Sequence, residues 1–517
     1  MNGTKSIANH IADGRIDNLA QTASFERAQA FVMDKLDIRL FAGLILATLS
    51  GCLSLAPEHR TPALPVPSSW PLGLDDSATD KRLELIQPWR SYFTDPILLR
   101  LIETALANNR DLRIAMLQVE EARATFSIQR SERVPGVSID TQAARARTPG
   151  DLNFTGRSLV AGEYRAEVGL NSWELDLWGR VRDLEESALQ SWLATEAAQQ
   201  AVRITLISEV ADGYLGLREL DERVENARQT VASREESYRI FSRRYEVGAI
   251  ARLDLIQVQT LLTQAQSLLA ELEQSRDSQI NALRLLVGGD PGPLPQQGPF
   301  DETMVLADLP PGLPSELLAR RPDIIEAEHR LRAANADIGA ARAAFFPRIA
   351  LTGGWGTVSS ELDGLFDAGS RSWNFVPTLS LPIFDGGQRS ASLELSEVRR
   401  DLVITEYEQS IQTAFREVAD ALSARRWQAR QLEVQHTARQ AQTERSRLAQ
   451  LRYDNGSATY LEVLDAKRDL LDSEQQLVIA RRALLSSQVE LYSALGGDAA
   501  ATPLPAPRPT SSHTERD

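Results

Sequence analysis

Several residue types that would indicate a catalytic or nucleic-acid-binding protein are scarce or badly placed in this 517-residue sequence. Cys52 is the single cysteine, so no disulfide can form within the chain. The five histidines are scattered and never fall at metal-ligand spacing, which predicts no metal site. Lys and Arg number 56 against 71 Asp and Glu, and the resulting charge of −15 argues against a nucleic-acid partner. No motif places a nucleophile beside a base, which predicts neither catalytic residues nor a cofactor.

Aromatic residues are also few, at 6% of the chain, whereas Ala, Leu, Gln, Glu and Arg are abundant. This composition is typical of long helices. Two stretches, about 182–247 and 388–455, are too long to be compact globular helices. At a rise of 1.5 Å per residue, such helices would each reach about 100 Å. The sequence therefore predicts a mostly helical protein with two unusually long helical stretches.

A long apolar run is missing as well, but a short one stands near the amino terminus. Residues 40–49 form a ten-residue apolar segment, too short to span a bilayer and typical of a signal-peptide core. It follows Lys35 and Arg39 and ends in Leu-Ser-Gly-Cys at Cys52, which resembles the lipobox of bacterial lipoproteins. We therefore predict a covalent lipid on Cys52, the alternative being a buried core thiol. Leu53, where an inner-membrane lipoprotein often has Asp, favours export to the outer membrane.

The same segment predicts the organisation of both chain ends. Residues 1–32 precede any normal signal peptide and Met33 stands where a start codon is expected, so 1–51 is predicted to be a signal peptide with a spurious extension. Residues 52–90 are predicted to be a lipidated tether, because 56–71 is rich in proline. Residues 499–517 are predicted to form a disordered tail.

An internal repeat organises the rest of the chain. Tyr-Glu-Val-Gly248 and Tyr-Asp-Asn-Gly456 lie 208 positions apart (453 − 245 for their tyrosines). Leu-Asp-Leu255 and Leu-Glu-Val463 keep this offset, and each copy closes with a Gly-Gly pair after a long helical stretch. We therefore predict a first repeat over 91–300 and a second over 301–498. Gly248 and Gly456 are predicted to be the turns of helical hairpins.

Each repeat has the same predicted order of elements. A helix comes first, at about 95–130 or 314–344, and two long helices that meet at the glycine turn come last. Between them lie two β segments, at 136–146 and 164–176 in the first repeat and at 348–358 and 373–384 in the second. The residues Trp373, Phe375, Leu379, Leu381 and Ile383 alternate with mostly polar or small ones, as do Tyr164, Ala166, Val168 and Leu170. Alternation of period two predicts strands with one apolar face.

Four strands of about ten residues per chain match the length of a tilted membrane strand. Four strands cannot close a barrel, and an open edge cannot lie in lipid because its backbone groups would be unsatisfied. Several chains must therefore pool their strands, and three chains would supply twelve.

The last predicted helix, 463–492, carries two apolar columns on either side of a polar one. The apolar columns are Val463, Leu470, Leu477, Leu484, Leu491 and Leu464, Leu471, Val478, Leu485, Tyr492. The polar column is Lys467, Glu474, Arg481 and Gln488, and a column of small residues runs from Ala466 to Ala494. Two seams predict a neighbouring helix on each side. If the Lys467 column faces outward, the opposite side, with Asp465, Asp469, Asp472 and Gln476, faces the inside of a tube.

Four motifs together resemble one protein family. They are Arg320-Arg-Pro-Asp-Ile324, Ala341-Arg-Ala-Ala-Phe-Phe-Pro-Arg348, Phe384-Asp-Gly-Gly-Gln-Arg389, and Asn455-Gly followed by Tyr460-Leu-Glu-Val-Leu-Asp-Ala466. In this order and spacing the sequence resembles the TolC-type outer-membrane factors, and within them the lipidated, NodT-like efflux branch. The similarity covers about residues 52–498.

The resemblance implies an α+β, mostly α membrane protein with an internal two-fold repeat. It implies a homotrimer with a twelve-stranded outer-membrane β-barrel continued by a twelve-helix periplasmic α-barrel. In the family, a leucine ring and an aspartate ring narrow the periplasmic tip, and a tyrosine and an arginine hold it. The matching positions are Leu461, Asp465, Tyr453 and Arg468, and Asp465 agrees with the inward side of the helix wheel. The implied partners are outer-membrane lipid, a periplasmic adaptor and an inner-membrane pump that delivers drugs, metals or other small molecules.

Other functions remain open at this stage. The outer-membrane component of a type I protein-secretion system would share the fold. A periplasmic adaptor or scaffold would also be lipidated, but it would have one helical hairpin and a lipoyl-like β module. An enzyme would need a constellation that no motif supplies, and a purely structural coiled coil would not need alternating strands.

Overall fold

The computed structural model describes residues 54–60, 62, 65–67, 88–294, 300–306 and 320–498. The first half contains α1 (Trp89–Tyr92), α2 (Pro96–Asn108), α3 (Arg110–Ser131), β1 (Val137–Thr148), β2 (Leu159–Glu174), α4 (Arg180–Glu246) and α5 (Arg252–Val287). The second contains α6 (Pro322–Ala343), β3 (Arg348–Ser359), β4 (Arg371–Ser380), α7 (Gln388–Asp454) and α8 (Tyr460–Ala494). Short 3₁₀ turns occur at Gly150–Leu152 and Glu302–Met304. Among the described residues, no helix combines the length and apolar character needed to cross a membrane.

The described chain forms two compact units, each assembled from separated segments. One contains residues 54–58 together with Ile128–Ser187 and Asn335–Glu397, and therefore holds all four strands. The other contains the segments 59–127, 188–334 and 398–498 as far as they are described, and holds the helical hairpins. Each unit draws on both predicted repeats. The predicted boundaries at 91–300 and 301–498 and the predicted tail 499–517 stay predictions.

The four predicted β segments are strands, and they pair in the order β1-β2-β3-β4 with every pair antiparallel. The pairing of β2 with β3 joins the two halves of the sequence, and a register shift between Leu170 and Trp173 interrupts it. β4 ends at Ser380, so Leu381 and Ile383 of the predicted segment 373–384 lie beyond the observed strand, and the predicted end was wrong. Pro382 follows Leu381, and because proline has no N–H to donate to a ladder, the strand stops before it.

The register gives the sheet two chemically different faces. Ile139, Val168, Trp355 and Trp373 are partners in one row across all four strands, and the next row contains Val137, Leu170, Gly353 and Phe375. Trp355 and Trp373 are 67% and 76% exposed in the single chain. The row between these two belongs to the opposite face and consists of Ser138, Gly169, Gly354 and Asn374. The alternation predicted for β2 and β4 is therefore shared by β1 and β3 in these three rows.

The predicted helix 95–130 is wrong in one respect, because it is two helices that meet at Asn109. The Asn109 side chain accepts a hydrogen bond from Leu112 N at 2.9 Å and donates one to Leu286 O at 2.9 Å. It thus caps the start of α3 and also binds the end of α5. In the second half, α6 begins at Pro322, whereas 314 was predicted, and residues 307–319 lie outside the described part of the chain.

Helix α8 packs along both of its predicted apolar seams. Val463 and Leu477 belong to clusters with Ala449 and Leu432 of α7. Leu464 belongs to a cluster with Phe241 of α4 and Val258 of α5. The small column from Ala466 to Ala494 is buried throughout. The prediction of a neighbouring helix on each side of α8 is therefore confirmed within a single chain.

In the single chain the Lys467 column does not face solvent, although it was considered as an outward face. Arg481 donates to Glu222 Oε2 of α4 at 2.9 Å and to Phe300 O at 2.7 Å, and Gln488 is buried. Burial lowers the pKa of Lys467, and the nearby charge of Arg234 lowers it further. The column is covered because α4 lies against it. The acidic side of α8, with Asp465 and Asp472, is the side that remains accessible.

Candidate functional site

Two helical turns of matching geometry join the long helices in pairs. Gly248 and Gly456 adopt φ values of 76° and 71°, a left-handed conformation that glycine enters without strain. In the first turn Gly248 N donates to Tyr245 O at 2.9 Å, and in the second Gly456 N donates to Tyr453 O at 2.9 Å. A Cβ at either glycine would meet nothing within 4 Å, so the backbone angle, and not crowding, requires glycine. The structure places both residues at the turns of the helical hairpins.

An aromatic cluster connects the two hairpins next to these turns. Tyr460 lies between Phe241 and Tyr453, with ring centroids 4.3 Å and 4.9 Å away respectively. The Tyr460 hydroxyl donates to Ser237 Oγ at 2.9 Å, and burial raises the pKa of Tyr460. Arg244 Nη1 donates to the Tyr453 hydroxyl at 2.5 Å, so α4 is bonded to the end of α7. Sequence reasoning selected Tyr453 but missed its partner Arg244 and the ring of Tyr460.

The other predicted tip residues lie together on the accessible side of α8. Leu461, Asp465 and Arg468 are spaced four and then three residues apart, which places them on one helix face. Leu461 is 46% exposed. Arg468 pairs with Asp465 at 3.5 Å and with Asp469 at 3.0 Å. Of the two residues predicted to hold the tip, Tyr453 is hydrogen-bonded to Arg244 of another helix, whereas Arg468 forms ion pairs along its own helix.

Asp469 was placed on the inward side of the wheel but was not selected as a site residue. Arg445 Nη1 of α7 donates to Asp469 Oδ2 at 2.6 Å, and Arg468 contacts the same carboxylate. These two hydrogen bonds lower the pKa of Asp469, so the carboxylate stays ionised. Asp469 thus ties α7 to α8 inside the second hairpin. Its spacing from Arg468 and Asp465 was visible in the sequence, but the position of Arg445 was not.

A separate concavity of about 960 Å³ lies between α4, α5, α7 and α8, beside the start of α6. Its lining is rich in carboxylates: Glu209, Asp212, Asp323, Glu417, Asp420 and Glu490. Burial raises the pKa of Glu490, and the neighbouring charge of Asp212 adds to this effect. In the described segments, no group of three His, Cys, Asp or Glu side chains is arranged to hold a metal ion. The cavity is therefore rich in acidic side chains, and the sequence analysis did not predict it.

Cys52, the predicted lipidation site, lies outside the described residues, but the chain is held in place two residues later. Ser54 Oγ donates to Asp183 Oδ1 of α4 at 2.7 Å, and Arg342 Nη1 of α6 donates to Leu55 O at 3.2 Å. A Cβ at Gly339 would lie 2.3 Å from Asp183 Oδ2, so this close approach requires glycine. The segment after Cys52 is therefore fixed against two helices.

Comparisons with known proteins agree with this geometry. The sequence matches the family profile described as outer membrane efflux protein over residues 101–289 and 313–497. Outer membrane protein OprJ of Pseudomonas aeruginosa is 44% identical over 460 residues, which cover 88% of this chain and 95% of OprJ. The toluene efflux pump outer membrane protein TtgI of Pseudomonas putida is 44% identical over 457 residues, 87% of this chain and 96% of TtgI.

A solved structure shows the same fold. The open state of the MtrE outer membrane channel of Neisseria gonorrhoeae matches with a TM-score of 0.78 and 34% identity, covering 86% of this chain and 99% of MtrE. The chain belongs to the outer membrane efflux protein family. It is an outer-membrane efflux channel, and the resemblance to the TolC-type factors is confirmed, as is the mostly helical channel fold.

Proposed function

We propose that three copies of this chain assemble into the exit duct of a tripartite efflux pump of the proton-driven RND type. The observation that carries the proposal is the four-stranded sheet, with one apolar face, one polar face, and edge strands β1 and β4 that each pair with a single strand among the described residues. Such edges cannot lie in lipid unpaired. Pairing β4 of one copy with β1 of the next closes twelve strands from three chains, with the apolar faces outward.

The helical hairpins then form the periplasmic part of the duct, with the turns at Gly248 and Gly456 at its tip. In this proposal Leu461 and Asp465 of the three chains narrow the passage. Tyr453, held by Arg244, and Arg468 stabilise the closed arrangement. An acidic constriction favours cations at close quarters. Contacts of the tip with a periplasmic adaptor and an inner-membrane pump would open it.

The chain supplies the passage and performs no reaction of its own. Energy comes from the inner-membrane pump, and the cargo consists of drugs, metals or other small molecules. TtgI is by name a toluene efflux pump component, which supports small organic molecules as one class of cargo. The match with an efflux family over both halves of the chain favours this function over protein secretion and over a periplasmic adaptor.

We further propose that Cys52 carries a covalent lipid, palmitate among its acyl chains, which anchors the protein to the outer membrane. The contacts of Ser54 and Leu55 would hold the anchor beside the helix ends that adjoin the sheet. Metabolic labelling with a palmitate analogue tests this point. Wild type should be labelled and Cys52→Ser should not, and equal labelling of both would refute lipidation at this residue.

The first experiment measures the native mass of the protein extracted in detergent from purified outer membranes. A trimer supports the shared barrel. A monomer, or a protein found only in the inner membrane, overturns the assembly. A deletion strain complemented with this chain should also regain resistance to toluene and to amphiphilic antibiotics, which tests the cargo independently of the mass.

A further inference from the structure

Three arginines stand on the apolar face of the sheet. Arg145 and Arg147 of β1 are six and eight residues after Ile139, and Arg371 is two residues before Trp373. Ile139 and Trp373 belong to the same row across the sheet. Since successive side chains on a strand alternate between faces, even spacing places all three arginines on the face that carries Ile139 and Trp373.

These arginines lie towards one end of the sheet. Arg147 is the penultimate residue of β1 and Arg371 is the first residue of β4. At this end, short connections lead from β1 to β2 and from β3 to β4, whereas the opposite strand ends continue towards the helices. All three side chains are exposed. We refer to Arg145, Arg147 and Arg371 as the arginine group.

On the apolar face of the four strands, the arginine group supplies all of the charged side chains. Followed through the register, the residues of that face on β1 to β4 include no Asp or Glu. The opposite face behaves differently, because its Arg165 pairs with Glu163 at 2.8 Å and with Glu167 at 3.6 Å. Within the described part of the chain, no acidic side chain forms an ion pair with a member of the arginine group.

We propose that the arginine group binds the phosphate groups of anionic lipids in the membrane leaflet at the loop end of the sheet. The inference rests on the proposed placement of the apolar face in the outer membrane. There, a side chain at the end of the apolar region meets lipid headgroups. A guanidinium matches a phosphate with two parallel hydrogen bonds and remains charged at any physiological pH. Trp373, two residues from Arg371, provides the apolar contact for the acyl chains.

Acidic residues of a neighbouring chain are the competing partners. The β3–β4 connection carries Glu361, Asp363 and Asp367, all exposed. In the single chain these acids do not pair with the arginine group, and they stand on the connection beyond the strands. A lipid is favoured because the arginines share their face with the exposed tryptophans and not with the acids.

The test measures lipid retention by the full-length, detergent-purified protein with native mass spectrometry. The probes are diphosphorylated lipid A and, as a neutral reference, phosphatidylcholine. A surface arginine contributes about fivefold to the affinity for anionic lipid, so we expect roughly a hundredfold weaker lipid A binding for Arg145→Gln/Arg147→Gln/Arg371→Gln. Arg147→Gln alone should lose about fivefold. Phosphatidylcholine binding should not change in either variant.

The matched control removes three charges elsewhere. Arg113, Arg399 and Arg416 are exposed arginines on α3 and α7, and their triple Gln variant should bind lipid A like wild type. Equal lipid A binding by the arginine-group variant and wild type overturns the proposal. So does displacement of lipid A by an equal concentration of inorganic phosphate, which would indicate a free-anion site. If the arginine-group variant loses the trimer but keeps its lipid A affinity, the arginines instead pair with acidic residues of the neighbouring chain, and the proposal is wrong. A wild-type protein that is monomeric would count against the proposed assembly, not against the lipid contact.

Discussion

The Arg244 guanidinium donates a 2.5 Å hydrogen bond to the Tyr453 hydroxyl, and these residues belong to different helical hairpins. Arg244 lies in the last turn of α4, and Tyr453 is the penultimate residue of α7. The guanidinium of Arg244 also lies 5.6 Å from the ring centre of Phe241, which packs against Tyr460. The two hairpins of one chain are thus fastened together beside both glycine turns. Relative movement of the hairpins must break this contact.

Removing the tie should favour the open tip. We expect Tyr453→Phe and Arg244→Gln each to raise the frequency of channel openings in planar bilayers several-fold. Each substitution removes a charged hydrogen bond while the aromatic packing remains. Arg243→Gln is the matched control, since the ion pair of Arg243 among the described residues is with Glu246 on its own helix. Identical conductance in the Arg244 and Arg243 variants would show that the tie does not restrain opening.

The proposed constriction can be tested by a double substitution on α8. Leu461→Ala with Asp465→Ala removes an exposed apolar side chain and a carboxylate four residues apart, and it should raise conductance, reduce cation preference and increase antibiotic entry. Leu448→Ala with Glu444→Ala on α7 is matched, because Leu448 is 45% exposed against 46% for Leu461. Wild-type conductance in the first variant would remove Leu461 and Asp465 from the gate.

Local patterns in the sequence predicted much of this fold, and long-range contacts account for what was missed. The alternation in 373–384 is a pattern of adjacent residues, and the short motifs that end in Gly248 and Gly456 match each other. Both signals could therefore be recognised in the sequence. The break between two helices at Asn109 could not be recognised, because the Asn109 side chain is fixed by a hydrogen bond to Leu286, 177 residues away. The same limit hid the partner of Tyr453. A helical wheel likewise finds the Lys467 column but cannot reveal that α4 covers it.

Arg321 is predicted to be a charged residue on which the stability of the helical unit depends. It is 8% exposed and bonds Asp323 at 2.6 Å, Glu417 at 2.7 Å and Ala494 O at 2.8 Å. Lysine cannot reproduce this fork of donors, and removing the guanidinium leaves the Ala494 carbonyl and two partly exposed carboxylates without their donor, at a cost of about 1–3 kcal/mol. Arg321→Met should therefore lower the midpoint of thermal unfolding strongly, and Arg321→Lys less so. Arg320→Lys, next to it and less buried, should unfold like wild type; an equal effect at both positions would contradict the assignment.

The close approach at Gly339 gives the sharpest test of the segment that follows Cys52. An alanine Cβ there would lie 2.3 Å from Asp183 Oδ2 and 2.8 Å from Ala56 N, so Ser54–Ala56 and the α4 carboxylate cannot both keep their places. Overpacking of this kind costs about 1–3 kcal/mol. Gly339→Ala should release the segment and make it sensitive to limited proteolysis near Ser54. Gly136→Ala, whose Cβ would meet nothing within 4 Å, should leave the cleavage pattern unchanged. If Gly339→Ala resists proteolysis like wild type, the segment is not held by its contact with Asp183, and the lipid anchor is positioned by some other part of the chain.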